Sequence, residues 1–555
     1  ARNMKKKYIL PTALLTLAIS SCTDLDVNVK SFYTEYPDSE IAIEAKTSDV
    51  YYAFAGPLNR RYNELVTFSS DEAMGVSFDG DYLDSGNNSH PSLHNSLAND
   101  ACIGWYGDLS GGITKCNQVI IELGGDEASP IAIAPVRAAR AFYHFILMDC
   151  FGDIPILERT PEENESVERS SRADVARWIE SELLAIRDDM TTEISAATYG
   201  KPTRWMVNAL LAKLYINWNV YTKDVTSSDW SATAANEKLN DCIAACDDII
   251  RSDLFNLSDD YKAKFLYNNG PHIKAFIYAM DYDCVTRTGM NYARFRTWRR
   301  GQNDGSGGAG FYTVAMSNSV GGNIAMTEEF ANLFCLEGDR RNDCVVGGDL
   351  YQIDATTAEK TGNRNMYQGQ AVNLSKSIAL KILYDKDGNP YPIGPAYEDL
   401  NTGATITGWT QGWRSIKFAA YVTEYNQYSR NQSNDVPIFR YADILLTKCE
   451  AILRGGSATN GDTPQSLFNQ IRTYVHAPLI NSNPTLDELL DERGREFFDE
   501  NWRRNDLIRF GEYERDWGFK NIVNPAAKTK LTNRIFPIPQ GILDTNTNWN
   551  QNEGY

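Results

Sequence analysis

The sequence predicts a mainly α-helical protein, in which a helical scaffold carries a loop-rich face with a minor share of β-structure. Between residues 41 and 250, apolar side chains recur at the three- and four-residue intervals of amphipathic helices. Residues 257–434 are dominated by Gly, Asn, Ser, Thr and aromatic residues, which is typical of long loops with short strands and hairpins. Helical patterns return at 441–453, 466–475 and 486–509.

The strongest helical pattern covers residues 127–150, where Pro135 lies near the start and its missing N–H costs little. Further helical stretches follow at 173–186, 203–220 and 239–250. The stretch at 203–220 is apolar almost all round, so we expect it to be buried on several sides. These paired helices, rich in Ala, Leu, Tyr and Trp, look like tetratricopeptide-type pairs, although no clean 34-residue period is apparent.

The N-terminal segment has the features of a bacterial lipoprotein signal. Lysines at 5–7 precede an apolar stretch at 8–19, which is too short to span a bilayer. Two serines then lead into Cys22, an arrangement that resembles a lipobox, in which a peptidase cuts before an acylated cysteine. We therefore expect residues 1–21 to be a signal peptide and lipid on Cys22 to hold the mature protein on a membrane. The alternative is an ordinary signal peptide followed by a coincidental cysteine.

The composition argues against several other classes of protein. The 555 residues, of which 42% are hydrophobic and 11% aromatic, are sufficient for a large core. A formal charge of −19 argues against a nucleic-acid partner, since such proteins need a basic surface. The ten cysteines are dispersed without a CxxC pair, which predicts neither a disulfide scaffold nor a metal site. A GxGxxG match at 305–310 lacks a strand before it and a helix after it, so no cofactor is expected.

Several longer motifs occur in order along the chain. They include RAFYHFILMDCFGDIPI at 140–156, NDVPIFRYADILLTKCEA at 434–451 and LDERGREFFDENWRRNDLIRFG at 490–511. Further motifs lie at 105–120, 209–217, 338–343 and 534–555. Together these seven segments resemble the SusD/RagB family of outer-membrane nutrient-binding lipoproteins, and the resemblance extends over essentially the whole chain.

The resemblance implies four tetratricopeptide-like helix pairs and a looped face that binds glycan above a SusC-like TonB-dependent outer-membrane transporter. It divides the mature chain into an N-terminal helical region at 22–256 and a C-terminal region at 257–555. The latter would comprise variable binding loops at 257–434 and closing helices at 435–555. Acidic residues just after Cys22 resemble a surface-export signal, so we expect the protein at the cell surface.

The candidate ligand contacts are aromatic and polar side chains on loops. A sugar offers apolar C–H faces and many hydroxyl groups, and several weak contacts must converge to hold it. The first candidate segment, at 77–88, contains Phe78, Asp79, Asp81 and Tyr82. In the family, a loop at this place contributes to the ligand site. A solvated loop is the alternative interpretation, and the acidity of the segment would also suit a structural Ca²⁺ ion.

A second candidate segment, at 281–312, interleaves aromatic residues with arginines. The family places aromatic ligand contacts in this variable region too. The candidates are Tyr282, Arg287, Tyr292, Trp298 and Tyr312. Aromatic rings half-buried under the loops are the alternative interpretation. Trp409, in a stretch whose neighbouring glycines predict a loop, is a further candidate.

These observations predict a glycan-binding protein that is not an enzyme and that hands its ligand to a transporter. Two alternatives stay open. A RagB-type carrier would bind peptide or glycopeptide. A glycoside hydrolase would require a pair of carboxylates, which cannot be excluded by counting in a chain with 73 acidic residues.

Overall fold

Helices make up most of the regular structure, which confirms the mainly α-helical fold class. The computed structural model describes residue 44 and residues 46–257, 260–291, 310–316, 322–381, 386–390 and 399–555. The α-helices are α1 (Ala55–Asn59), α2 (Arg61–Phe68), α3 (Ser89–Ser92), α4 (Tyr106–Glu122), α5 (Pro130–Phe151), α6 (Arg172–Ile186), α7 (Arg204–Ile216), α8 (Trp218–Thr222), α9 (Leu239–Arg251), α10 (Glu328–Ala331), α11 (Ile406–Trp409), α12 (Val422–Gln427), α13 (Tyr441–Leu453), α14 (Pro464–Val475), α15 (Leu486–Phe497), α16 (Arg503–Phe510), α17 (Lys520–Val523) and α18 (Gln540–Thr545).

The longer helices stack on one another in chain order. Helix α4 packs on α5, α5 on α6, α6 on α7, and α7 on α9. Helix α5 is long and apolar enough to cross a membrane by length and composition, but 72% of its most apolar window is buried inside the fold. Its hydrophobicity therefore serves the core of the stack.

The loop-rich region is inserted between two helices that are neighbours in this stack. Helix α9 packs directly on α13, which in turn packs on α14 and α15. Residues 252–440, between α9 and α13, must therefore leave the stack and return to it. The structure thus explains why the helical pattern of the sequence is interrupted and then resumes.

The strands are short and form two-stranded antiparallel pairs in the described residues. They are β1 (Ala73–Gly75), β2 (Phe276–Met280), β3 (Ile324–Met326), β4 (Val345–Val346), β5 (Gly348–Asp349), β6 (Tyr351–Ile353), β7 (Lys360–Arg364), β8 (Met366–Tyr367), β9 (Gln370–Ala371), β10 (Asn373–Leu374), β11 (Arg414–Ser415) and β12 (Val436–Arg440). The pairs are β1–β3, β2–β12, β4–β11, β5–β10, β6–β7 and β8–β9. Strands β2 and β12 are buried along their whole length, and their pairing brings the two ends of the insertion together.

Several helices begin at short polar side chains that cap them. The Ser171 hydroxyl accepts the N–H of Asp174 at the start of α6, and Thr203 accepts the N–H of Met206 at α7. Helices α14 and α15 each begin with a reciprocal capping box, in which the N-cap is Thr463 and Thr485 respectively. Such caps satisfy N–H groups that have no partner within the helix.

Two helical predictions are corrected at the C-terminal ends of their patterns. The stretch predicted as one helix at 486–509 is two helices, α15 and α16, because Asp499 and Asn501 adopt left-handed φ values of 62° and 72°. The stretch at 203–220 likewise divides into α7 and α8 at Asn217. The first break frees the Asp499 N–H, which donates to the Glu72 carboxylate at 2.7 Å.

Charged residues of the C-terminal motif are buried and paired. Arg341 contacts Glu492 at 2.9 Å and Glu496 at 3.3 Å, and all three side chains are fully buried. Arg440 contacts Glu496 at 3.0 Å and Glu500 at 2.7 Å. Further buried pairs join Lys417 to Glu500, Lys213 and Arg493 to Asp443, Arg493 and Arg509 to Asp506, Arg509 to Glu450, and Arg503 to Asp71. Each of these charges depends on its partner, since an unpaired buried charge is very costly.

Glu72 lies beside this network, and we expect it to make stability depend on pH. Burial, reinforced by the nearby charge of Asp499, raises the pKa of the Glu72 carboxyl from 4.5 to about 8. Between these two values the folded protein keeps a proton that the unfolded chain has lost. The free energy of unfolding should therefore fall as the pH rises from about 4.5 to about 8, by up to about 1.4 kcal/mol per pH unit.

Urea unfolding over this pH range measures the effect. The variant Glu72→Gln keeps an oxygen acceptor for the Asp499 N–H but cannot ionise, so its stability should fall less with rising pH. Glu337→Gln, at an exposed position, is the matched control and should retain the wild-type slope. Parallel curves for wild type and Glu72→Gln would contradict the prediction.

Candidate functional site

The first candidate segment contains an exposed loop with an unusual backbone. In residues 79–86, here called the acidic loop, Asp79, Tyr82, Asp84 and Ser85 have φ values of 52°, 66°, 45° and 53°. Left-handed backbone is uncommon for residues other than glycine and costs about 1–3 kcal/mol each time it is imposed. Four such residues within one short loop require that neighbouring structure holds the loop in place.

Asp79 supplies much of that support. Its carboxylate accepts hydrogen bonds from Lys381 Nζ at 2.6 Å, from Asn401 Nδ2 at 3.1 Å and from the Ala404 N–H at 3.1 Å. Its own N–H donates to Asn401 Oδ1 at 2.9 Å. The bond from Lys381, followed by those from Asn401 and Ala404, lowers the pKa of Asp79 to about 2. The carboxylate is thus ionised and bound throughout the physiological pH range.

The other end of the acidic loop is held by two arginines at the junction of helices α1 and α2. Asp84 accepts a bond from Arg61 at 2.8 Å and lies 3.5 Å from Arg60. The half-exposed ring of Tyr82 packs edge-on against the buried ring of Phe78, with centroids 5.7 Å apart. The buried ring of Phe78 therefore helps to position the ring of Tyr82.

Helix α1 also meets the second candidate segment, whose described part, residues 281–291, is here called the arginine segment. The Tyr282 hydroxyl donates to the Ala55 carbonyl at 2.6 Å. The side chain of Asn59 exchanges two bonds with Asn291, each 3.1 Å long. Helices α1 and α2 thus connect the acidic loop to the arginine segment. These two segments are about 200 positions apart in the sequence.

An ion pair lies at the base of the arginine segment. Arg287 is exposed and contacts Asp281 at 2.8 Å. Burial raises the pKa of Asp281 to about 6, although the Arg287 charge opposes the shift. Burial and the charge of Asp281 also raise the pKa of Asp435 well above its usual range. The Tyr199 hydroxyl donates to Asp435 at 2.7 Å.

The structure corrects the expectation that all the candidate rings are displayed on open loops. Phe78, Tyr282, Tyr312 and Trp409 are only 1%, 3%, 4% and 3% exposed. The Tyr312 hydroxyl accepts the Ala420 N–H at 3.1 Å. Trp409 ends helix α11, rather than lying in the predicted loop, and its ring packs edge-on against Tyr367. These four rings are part of the core because the hydrophobic effect favours burying large aromatic surfaces.

The remaining candidates divide into two groups. Asp79, Asp81 and Arg287 are exposed and Tyr82 is half-exposed, so their side chains are accessible to a ligand. Tyr292, Trp298 and the expected lipid anchor Cys22 lie outside the described residues. Among the described residues, no group of three or more His, Cys, Asp or Glu side chains is arranged to hold a metal ion.

The residues that support the acidic loop were not found by sequence reasoning. Lys381 and Asn401 lie more than 300 positions from Asp79, and neither belongs to a motif that signals this contact. A cavity of about 340 Å³ lies elsewhere, between the start of α6 and the C-terminal tail. Neither candidate segment lines it.

Comparison with known families agrees with this architecture. A model of the SusD family matches residues 288–555. A second family model, described as starch-binding and associating with the outer membrane, matches residues 131–216. The two models together match more than half of the chain. These two matches confirm the resemblance of the chain to the SusD/RagB family.

Two relatives and two solved structures illustrate this likeness. The starch-binding protein SusD of Bacteroides thetaiotaomicron is 27% identical over 438 residues, which are 76% of this chain and 72% of that protein. A SusD-like protein of Bacteroides ovatus is 23% identical over 531 residues, which are 92% of this chain and 84% of that protein.

Surface glycan-binding protein A from Bacteroides thetaiotaomicron, in complex with laminarihexaose, has a TM-score of 0.62 at 16% identity and covers 92% of this chain and 99% of its own. Surface glycan-binding protein A from Bacteroides fluxus has a TM-score of 0.63 at 19% identity, with coverages of 94% and 100%. These structures share the fold of this protein.

We expect Lys381→Ala to loosen the acidic loop without unfolding the protein. The Asp79–Lys381 pair is partly exposed, with 32% and 46% of the two side chains accessible, so its loss should cost at most about 1 kcal/mol. Amide hydrogen exchange in residues 79–86 should then accelerate about two- to fivefold, while the melting temperature stays close to that of wild type. Lys386→Ala, at a side chain that is 90% exposed, is the control. Equal exchange in both variants would show that Lys381 does not support the loop.

Proposed function

We propose that this protein binds glycan at the bacterial cell surface and delivers it to a SusC-like TonB-dependent transporter, without carrying out chemistry. The observation that carries the proposal is the acidic loop, which is exposed and yet held in a costly backbone conformation. A loop that keeps its shape before the ligand arrives loses less conformational entropy on binding. Backbone strain of this kind is concentrated at functional sites.

The chemistry of the acidic loop suits a sugar. The half-exposed ring of Tyr82 offers an apolar surface for C–H groups, and Asp81 offers an acceptor for hydroxyl groups. Arg287 adds an exposed donor from the arginine segment. Tyr292 and Trp298 stay predicted contacts of this face.

The names of the relatives favour the same class of ligand. One curated relative is named a starch-binding protein, and one structural neighbour was solved with laminarihexaose. A further neighbour is named a laminarin-binding SusD-like protein. Since these names describe binding rather than turnover, they support a carrier more than a glycoside hydrolase.

The proposed location rests on the N-terminal segment. Acylation of Cys22 would hold the mature protein on the outer membrane, and one of the matching families is described as associating with that membrane. A tethered binding protein raises the local concentration of glycan near a transporter in the same membrane. The transporter itself is inferred from the family resemblance.

We expect Tyr82→Ala to weaken glycan binding by about five- to tenfold, because removing an aromatic contact at a binding site typically costs about 1–1.4 kcal/mol or more. Affinity electrophoresis in gels that contain neutral polysaccharides measures the loss. Tyr351→Ala is the matched control, since the half-exposed ring of Tyr351 is already covered by Lys360 and Arg364 at 4.3 and 5.2 Å.

The same experiment separates the alternatives. A wild-type protein that no polysaccharide retards, but that carries bound peptide when purified, would replace the glycan proposal with a peptide carrier. Release of reducing ends from a polysaccharide would contradict the proposed lack of catalysis. Equal retardation of Tyr82→Ala and wild type would remove the acidic loop from the site.

We expect Cys22→Ala to abolish membrane anchoring when the full chain is expressed with its N-terminal segment. Wild-type protein should partition into the detergent phase of a Triton X-114 extract, since acyl chains supply the membrane affinity. The variant should stay in the aqueous phase. Cys335→Ala, which removes an exposed cysteine from the folded body, should partition as wild type. Detergent partitioning of Cys22→Ala would show that another segment anchors the protein.

A further inference from the structure

Two tyrosines outside the predicted segments form a stacked pair at the surface. The rings of Tyr267 and Tyr421 have centroids 3.9 Å apart and planes 17° from parallel, and both residues are half-buried. Aromatic pairs in proteins prefer offset or edge-to-face arrangements with centroids about 4.5–7 Å apart. The close parallel stack is therefore imposed by the backbone segments that carry the rings.

Buried amides hold those two segments together. The fully buried Asn434 donates from Nδ2 to the carbonyls of Phe265 at 2.9 Å and Ala419 at 3.2 Å, each two residues before one of the stacked tyrosines. The buried Gln432 accepts the N–H of Tyr421 at 2.6 Å and donates to its carbonyl at 3.3 Å. Breaking such buried hydrogen bonds costs about 1–3 kcal/mol each, so the stack is rigid.

A third tyrosine stands close by in the sequence, on a strained turn. Tyr428 follows helix α12 and is 39% exposed. The next two residues, Ser429 and Arg430, adopt left-handed φ values of 52° and 75°. The side chain of Asn431 stabilises the turn by donating to the Tyr428 carbonyl at 2.9 Å. The left-handed backbone of this turn costs free energy, and the turn holds the ring of Tyr428 where solvent can reach it.

These residues border the proposed binding face. Asn431 Oδ1 accepts the Gly289 N–H at 3.0 Å, and Ser433 Oγ accepts the Cys284 N–H at 3.1 Å. Both donors belong to the arginine segment. Tyr421 and Tyr428 are thus built on a chain segment that is bonded directly to the arginine segment, and Tyr267 stacks on Tyr421. These three tyrosines are here called the tyrosine patch.

We propose that the tyrosine patch of Tyr267, Tyr421 and Tyr428 is a second contact for the glycan, which takes neutral sugar rings against its aromatic faces. The inference rests on the proposed function and extends it to the class of ligand. Two contact regions on one carrier favour a polysaccharide over a single sugar. Once a polysaccharide is bound at one region, the rest of the same glycan is present at the other region at a high effective concentration. Glu424, the nearby carboxylate, already accepts the N–H and the hydroxyl of Ser433 at 2.9 and 3.0 Å.

The test compares Tyr421→Ala and Tyr428→Ala with wild type by affinity electrophoresis in whichever neutral polysaccharide retards wild type. Each variant should bind about five- to tenfold more weakly. Tyr421→Phe, which retains the stacked ring, should bind as wild type. Tyr351→Ala is the control for loss of a tyrosine whose ring is already covered. Because Tyr428 is exposed, its replacement leaves the core intact, and an unchanged melting temperature confirms this.

The outcomes distinguish the two proposals. Retardation of Tyr421→Ala and Tyr428→Ala equal to that of Tyr351→Ala would overturn the tyrosine patch while the proposed function stands. A wild-type protein that no neutral polysaccharide retards would overturn the proposed function itself, and the patch with it. Weakened binding that appears in both alanine variants and is absent from Tyr421→Phe supports the patch.

Discussion

The buried charge network of the C-terminal half is the constraint on which the rest of the structure depends. Arg341 and Lys417 come from the loop-rich insertion, and their partners Glu492, Glu496 and Glu500 come from or directly follow helix α15. Removing one partner of a buried pair typically costs about 3–5 kcal/mol, because it leaves an uncompensated charge in the interior. The network therefore fixes the insertion against the helical scaffold.

The position of the insertion explains how a helical stack can carry a binding face. Since α9 packs directly on α13, the stack continues as if the intervening residues were absent. Those residues are therefore not part of the helical repeat. Two of them, Lys381 and Asn401, bond directly to Asp79 of the acidic loop, although they lie more than 300 positions away in the sequence. The scaffold supplies rigidity, and the insertion supplies Arg287 and the groups that hold the acidic loop. This division suits the proposed carrier, because a binding face that is already in place loses little conformational entropy on binding.

Both proposed contact regions follow the same physical design. In each, polar groups hold the accessible side chains in place through several hydrogen bonds. Asp79 does this for the acidic loop, whereas Asn434 and Gln432 do it for the tyrosine patch. Weak sugar contacts add up only if the groups that make them are already in place.

The helices, the insertion and the position of the acidic loop could be predicted because they depend on local patterns. Apolar spacing within 127–150 or 239–250 is a property of neighbouring residues. The break between α15 and α16 was missed because the Asp499 N–H that it exposes finds its acceptor in Glu72, more than 400 positions away. The burial of Tyr282 and Tyr312 was missed for the same reason, since their hydroxyl partners are Ala55 and Ala420.

The sequence by itself determined the helical scaffold, the interruption by a loop-rich region and the family motifs, because each is encoded in short stretches of chain. Only the tertiary structure decided which aromatic rings lie in the core and which face solvent. It placed Phe78 beneath Tyr82, and it brought Tyr267 against Tyr421 across more than 150 positions. An aromatic residue in a loop suits either environment, and its burial depends on distant segments that local sequence does not specify.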